Sequence, residues 1–172
     1  METRLDALNV ALTNELREHE FYQDNAKRTE NPVGKAMFQQ IAAEELEHYE
    51  RLKQLSESWK KQEKWPATVP LRVNDTVVRD VLQQVVKNVS AMPPGDADDI
   101  KAIRVAIDFE AKGAAFYARL SEEVFDPREK AFFNLLTGIE QEHFASLKDT
   151  EEFLTDPTGW YRKMERGGLD GA

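Results

Sequence analysis

Apolar side chains recur along most of this chain at steps of three and four residues, the spacing that lines one face of an α-helix. The stretches that keep this spacing are rich in Ala, Leu, Glu, Lys and Gln and predict four long helices, over residues 3–29, 35–64, 96–124 and 127–154. Proline and glycine cluster between them, at 31–34, 65–70, 93–95, 126–127 and 156–157, where they oppose continuation or favour a new start. Asp126 before Pro127 reads as an N-cap with proline in the first turn, and Glu129 stands where a capping box would place it. Residues 74–92 carry Val77, Val78, Val81, Leu82, Val85, Val86 and Val89 at helical spacing and predict a short fifth helix despite their β-branching. With its flanks this segment makes a long crossover between the second and third long helices. The other two connections are short enough for antiparallel hairpins, and no alternating pattern supports a βαβ fold.

The four apolar stripes are interrupted at their middles by ionisable residues. The first runs Leu5, Leu8, Leu12, Glu15, His19, Tyr22, Ala26, and the second Phe38, Ile41, Glu45, His48, Leu52, Leu55, Trp59. The third runs Ile100, Ile103, Ile107, Glu110, Ala114, Tyr117, Ser121, Val124, and the fourth Phe133, Leu136, Glu140, His143, Leu147, Thr150, Leu154. Glu15 lies 17 residues before Pro32 and Glu45 13 after it; Glu110 and Glu140 flank Pro127 at the same intervals. At about 1.5 Å per residue all four glutamates sit roughly 20 to 25 Å from their hairpin turns, level with one another near mid-bundle.

The equal intervals are part of an internal repeat. Adding 95 carries Phe21 and Tyr22 to Phe116 and Tyr117, Pro32 to Pro127, Phe38 to Phe133, and Glu45 and His48 to Glu140 and His143. A helical hairpin has been duplicated. Buried charge is costly unless it is paired or bound to a cation. Four glutamates and two histidines leave carboxylates in excess, and no Lys or Arg lies in the stripes to offset them. One reading is a metal-free bundle whose polar residues satisfy one another. The other places two divalent ions there, because imidazole nitrogen with carboxylate oxygen suits iron or manganese and admits zinc.

Two repeats of a glutamate, a tyrosine seven residues later and a Glu-x-x-His about 30 residues on resemble the ferritin-like di-iron superfamily, specifically rubrerythrin, over roughly residues 3–154. The resemblance implies an all-α, ferritin-like four-helix bundle of two duplicated hairpins joined by the long crossover. It also implies a di-iron centre with Glu15, Glu45, His48, Glu110, Glu140 and His143 as ligands. Glu45 and Glu140 share a helix face with their histidines and are expected to bridge ions about 3.5 to 4 Å apart, leaving Glu15 and Glu110 terminal. Tyr22 and Tyr117 are expected to bond nearby carboxylates or to relay electrons. Rubrerythrin carries an extra glutamate three residues after the third-helix ligand. Here that position is Gly113, and the matching place on the first helix is Glu18, read either as a further ligand or as a solvated glutamate. On the ligand reading Gly113 leaves room for peroxide or solvent. His19 is read as a hydrogen-bonded core histidine or a ligand. Glu44, Glu47 and Glu142 are expected to face water or to stand behind the ligands, with no chemistry assigned.

Length and charge narrow the function further. The 172 residues suit one domain, taken as 1–155, with 156–172 as a packed extension. With 23 basic against 32 acidic residues and a net charge of -9, the chain is not a general nucleic-acid binder. No apolar run is long enough to span a membrane, and the N-terminus lacks a secretory core, so the cytoplasm is the expected compartment. The absence of cysteine excludes thiolate metal sites and a rubredoxin-type module within these residues. The resemblance therefore implies a peroxidase of the oxidative-stress kind, reducing hydrogen peroxide with electrons from a separate donor protein. Iron oxidation and storage, or a di-iron oxygenase using dioxygen, are the rivals. The chain is expected to form a homo-oligomer, a dimer.

Overall fold

The computed structural model describes residues 4–62, 74–87 and 94–169. Six helices run in order: α1 (Arg4–Arg28), α2 (Pro32–Gln62), α3 (Val78–Lys87), α4 (Ala97–Glu123), α5 (Pro127–Thr155) and α6 (Pro157–Leu169). Among the described residues there is no strand, and the arrangement is the all-α ferritin-like bundle the seams predict. The packing is tightest within the hairpins α1–α2 and α4–α5, and α3 lies across both α2 and α5. The joint expected at 65–70 and the end of the fifth helix beyond Lys87 lie outside the described residues.

Local chemistry explains where the helices start. α2 begins at Pro32, three residues earlier than the periodicity suggests, because the Asn31 side-chain oxygen accepts from the N–H groups of Val33 (3.0 Å) and Gly34 (3.2 Å). Asn31-Pro32 thus repeats Asp126-Pro127, where the Asp126 carboxylate accepts from Arg128 N at 2.8 Å. The capping box expected there does not form: Glu129 turns to the Arg4 guanidinium, 2.7 Å away. The box occurs instead at α4, where Asp96 accepts from Asp99 N (2.7 Å) and Asp99 from Asp96 N (3.3 Å). Arg28, at the end of α1, holds the same Asp99 at 3.0 Å and ties the two hairpins together.

The apolar core falls into two clusters. One contains Tyr22, Phe38, Ile41, Ile103, Leu147 and Phe153, and α3 adds Val78, Leu82 and Val86 to it. The other contains Leu8, Leu52, Leu55, Tyr117, Phe133 and Leu136. The ionisable residues of all four stripes lie between them. The extension is a helix, which the glycines at 159, 167 and 168 had obscured. Trp160 is buried edge-on to Phe153 at 5.3 Å and donates to Asp149 at 2.8 Å. Tyr161 donates to the Val86 carbonyl on α3 at 3.1 Å, so the tail packs on the bundle.

Candidate metal centre

The i, i+3 spacing of Glu45 with His48 and of Glu140 with His143 places each pair on one inward face of α2 or α5. All six predicted ligands converge, and none is more than 2% exposed. His48 Nδ1 lies 3.2 Å from both Glu15 and Glu45 and 3.6 Å from Glu140. His143 Nδ1 lies 3.2 Å from Glu45 and 3.3 Å from Glu110. The two imidazoles are almost parallel, 6.1 Å apart at an interplanar angle of 17°. Two sets of four have ligand atoms within 4.8 Å of one another: Glu15, Glu45, His48, Glu140 and Glu45, Glu110, Glu140, His143. Glu45 and Glu140 belong to both.

The tyrosines exchange partners between hairpins. Tyr22 donates to Glu110 Oε1 and Tyr117 to Glu15 Oε1, while the Oε2 atoms of those carboxylates face the histidines. Burial, followed by the facing Glu110 charge for Tyr22 and the Glu15 charge for Tyr117, raises both phenols well above their ordinary range. Both therefore stay protonated and act as donors.

The layer contains more carboxyl groups than its two histidines can offset, so without metal some of them keep their protons. Burial, then Glu45, pushes Glu15 up to about 8 against the opposing pull of His48. Burial, then Glu45, Glu110 and Glu15, raises Glu140 well above the usual carboxylate range. Burial works against ionising Glu45, but His48 and His143 outweigh it and hold that carboxylate low. Burial likewise opposes charging His48, yet Glu45 and Glu15 carry it up to about 10; Glu110, Glu44 and Glu45 raise His143 in the same way. Both oxygens of Glu140 are buried without a hydrogen-bond partner. Orphaned carboxylate oxygens at the centre of an N and O donor set, with acid in excess, fit divalent cations.

The structure narrows the two readings left for Glu18 and for His19, and it corrects the reading of Gly113. Glu18 is 5% exposed, which ends its reading as a solvated glutamate. Burial, then the charges of Glu45, Glu15 and Glu110, pushes it up to about 10, against the pull of Arg17 at 4.0 Å. It stands outside both sets of four. His19, placed in the seam by periodicity, turns toward α2, with Nδ1 2.6 Å from the Ala42 carbonyl. The stripe of α1 passes through Ala11 and Glu18 instead of Leu12 and His19, one helical step around. Gly113 does not leave open space: a Cβ there would meet Glu140 Oε2 at 2.5 Å, so the Glu140 carboxylate lies against the bare backbone.

Glu44 takes the second of its two expected places, behind a predicted ligand; what sequence reasoning missed is its partner, His143. Glu44 Oε2 lies 2.6 Å from His143 Nε2, and its Oε1 accepts from Gln40 (2.7 Å) and Val77 N (3.2 Å). Burial opposes its ionisation, but the bonds to His143, Thr76 and Gln40 hold it down to about 2. One step before Glu45, it looks from periodicity like an edge position, and only the packing of α5 and α3 around it gives it partners.

No helix among the described residues is long and apolar enough to cross a membrane. No curated protein and no solved structure gives a significant match. The sequence model of one family, Rubrerythrin, matches residues 6–151 and so takes in both hairpins, the crossover and all six converging ligands. That match covers most of the chain, whose two hairpins enclose a buried Glu/His cluster able to bind metal, and on it the chain belongs to the rubrerythrin family.

Proposed function

We propose that this protein is a di-iron peroxidase that reduces hydrogen peroxide with electrons from a separate donor protein. The observation that carries the reading is the pair of four-residue sets sharing Glu45 and Glu140, buried between two apolar clusters with both Glu140 oxygens unpartnered. When bound, an iron pair would supply the two electrons that, with two protons, convert hydrogen peroxide into two water molecules. Glu15, Glu45 and His48 with Glu140 would hold one ion, and Glu110, Glu140 and His143 with Glu45 would hold the other. Tyr22 and Tyr117 fix one oxygen of Glu110 and Glu15 and so aim the other at the metal positions. The apolar clusters above and below exclude bulk water, which keeps the carboxylates' field on the metals strong. Glu18, buried and protonated without metal, would serve as a seventh ligand for the pair.

The chain has no cysteine, so reducing equivalents come from outside it. It works in the cytoplasm as a homodimer. Anaerobic loading with Fe(II), followed by reoxidation with peroxide and, separately, with air, tests the reading. Two ions per chain and reoxidation much faster with peroxide are expected. Comparable rates with many irons accumulating per chain would instead establish oxidation and storage.

A further inference from the structure

The duplication makes the two halves of the centre comparable position by position, and at one place they do not correspond. Glu44 on α2 lies 2.6 Å from Nε2 of His143, the histidine of the opposite hairpin. Ninety-five residues later the matching position on α5 is Ile139, 1% exposed within an apolar cluster, so His48 receives no carboxylate from the equivalent place. The difference follows from topology. Because the crossover passes over α2 and α5 only once, α3 exists on one side alone. Val77, the residue just before it, meets Glu44 through its N–H at 3.2 Å, and Gln40 supports the same oxygen at 2.7 Å, whereas the counterpart of Gln40 is Leu135. Glu44 is therefore held from behind by these two groups.

We infer that Glu44 is a positioning residue that makes the two metal positions unequal, so that the one containing His143 fills first and more tightly. The inference rests on the two-ion reading above. A carboxylate accepting the Nε2–H of a ligating histidine fixes the ring and its tautomer and leaves Nδ1, here facing Glu45 and Glu110, as a more basic donor. Partners of this kind are worth about 10 to 100-fold in metal affinity. His48 has its Nδ1 among the same bridging carboxylates but lacks this support from α5.

The test is anaerobic titration of the full chain with Co(II), followed by visible absorption and calorimetry, with Glu44→Gln and Glu47→Gln as variants. Glu47 is the control: it accepts from Asn74 N at 3.3 Å and Asn74 Nδ2 at 3.0 Å, anchoring the same crossover segment without touching a ligand histidine. The wild-type chain is expected to take up two ions in steps separated by tenfold or more. Glu44→Gln should weaken the first step by tenfold or more and leave the second unchanged, with Glu47→Gln retaining both steps and all three proteins equally folded by circular dichroism. Two ions bound with equal affinity by the wild type, or an unaffected first step in Glu44→Gln, would overturn the inference while leaving the two-ion reading standing. Equal weakening of both steps, or the same change in Glu47→Gln, would also overturn it, since either would trace the effect to the crossover rather than to His143. Failure to bind any ion would remove the two-ion reading and this inference together.

Discussion

Replacing Glu18 by Gln keeps the side chain's size and removes its charge, and the metal-free protein should register the change as a function of pH. The unfolded chain ionises this carboxyl near 4.5, whereas the folded chain keeps the proton to about 10. Between those values folding takes up a proton, so this group's contribution is fullest below pH 4.5 and falls by about 1.4 kcal/mol for each pH unit above it. At pH 7, about 2.5 pH units into the window, Glu18 costs the metal-free fold roughly 3 kcal/mol, most of it accrued between pH 5 and pH 7. The assay is urea denaturation of chelator-treated wild type and Glu18→Gln at pH 5, 6 and 7. Comparing the stability difference across pH cancels whatever the amide gains or loses by packing. The variant should gain on the wild type by roughly 1.4 kcal/mol per pH unit. A stability difference that does not change with pH would refute the burial argument and return Glu18 to solvent. In the iron-loaded protein the same substitution should leave two ions bound and slow peroxide turnover tenfold or more, about 1.4 kcal/mol of barrier.

Glu15→Gln, by contrast, should lose metal itself, with elemental analysis after loading and desalting giving fewer than two ions per chain. Because the Glu45 and Glu15 carboxylates hold the His48 proton to about 10, protons should compete with metal well above the ordinary histidine pKa. Affinity should climb with pH through 7 to 9, and the calorimetric heat of binding should vary with the buffer's ionisation enthalpy; a heat independent of buffer would contradict this. Tyr22→Phe and Tyr117→Phe should each cost about 1 to 3 kcal/mol in urea denaturation, because each strands a buried carboxylate oxygen that had a donor.

Much of the centre was legible because a duplicated seam is a strong pattern. The convergence of six Glu and His side chains at one height needed only helical periodicity and the spacing about Pro32 and Pro127. The same periodicity misjudged Glu18 and His19, because residues 18 and 19 are one helical step apart and both lie near the edge of the stripe. Which of them turns inward depends on how α1 sits against α2 and α4, and that is decided by tertiary packing. The partners of Glu44 were obscured for a similar reason: they come from α5 and the start of α3, distant in sequence. The α2 cap could have been read, since Asn31-Pro32 is the repeat mate of Asp126-Pro127. Glu129 failed as a capping residue because Arg4, from the far end of the chain, competes for it. The extension's helix was hidden by its glycines, although Trp160 and Tyr161 marked it as a packing element.

The way the two sets of four are composed bears on how the halves stay together. Each takes three residues from one hairpin and one from the other, and each tyrosine reaches across as well. An ion seated in either set would thus rivet one hairpin to the other, in a chain that has no cysteine to do so covalently. The hairpins touch each other far less than the helices within each one do, so the rivets would sit where the bundle is most easily parted. Cutting the chain once between α2 and α3 would leave two pieces that hold together while the metal is bound and loosen when a chelator takes it away. The repeat also shows how such a centre could first have been assembled, from two copies of one hairpin clasping the ions between them, before a crossover made them a single chain.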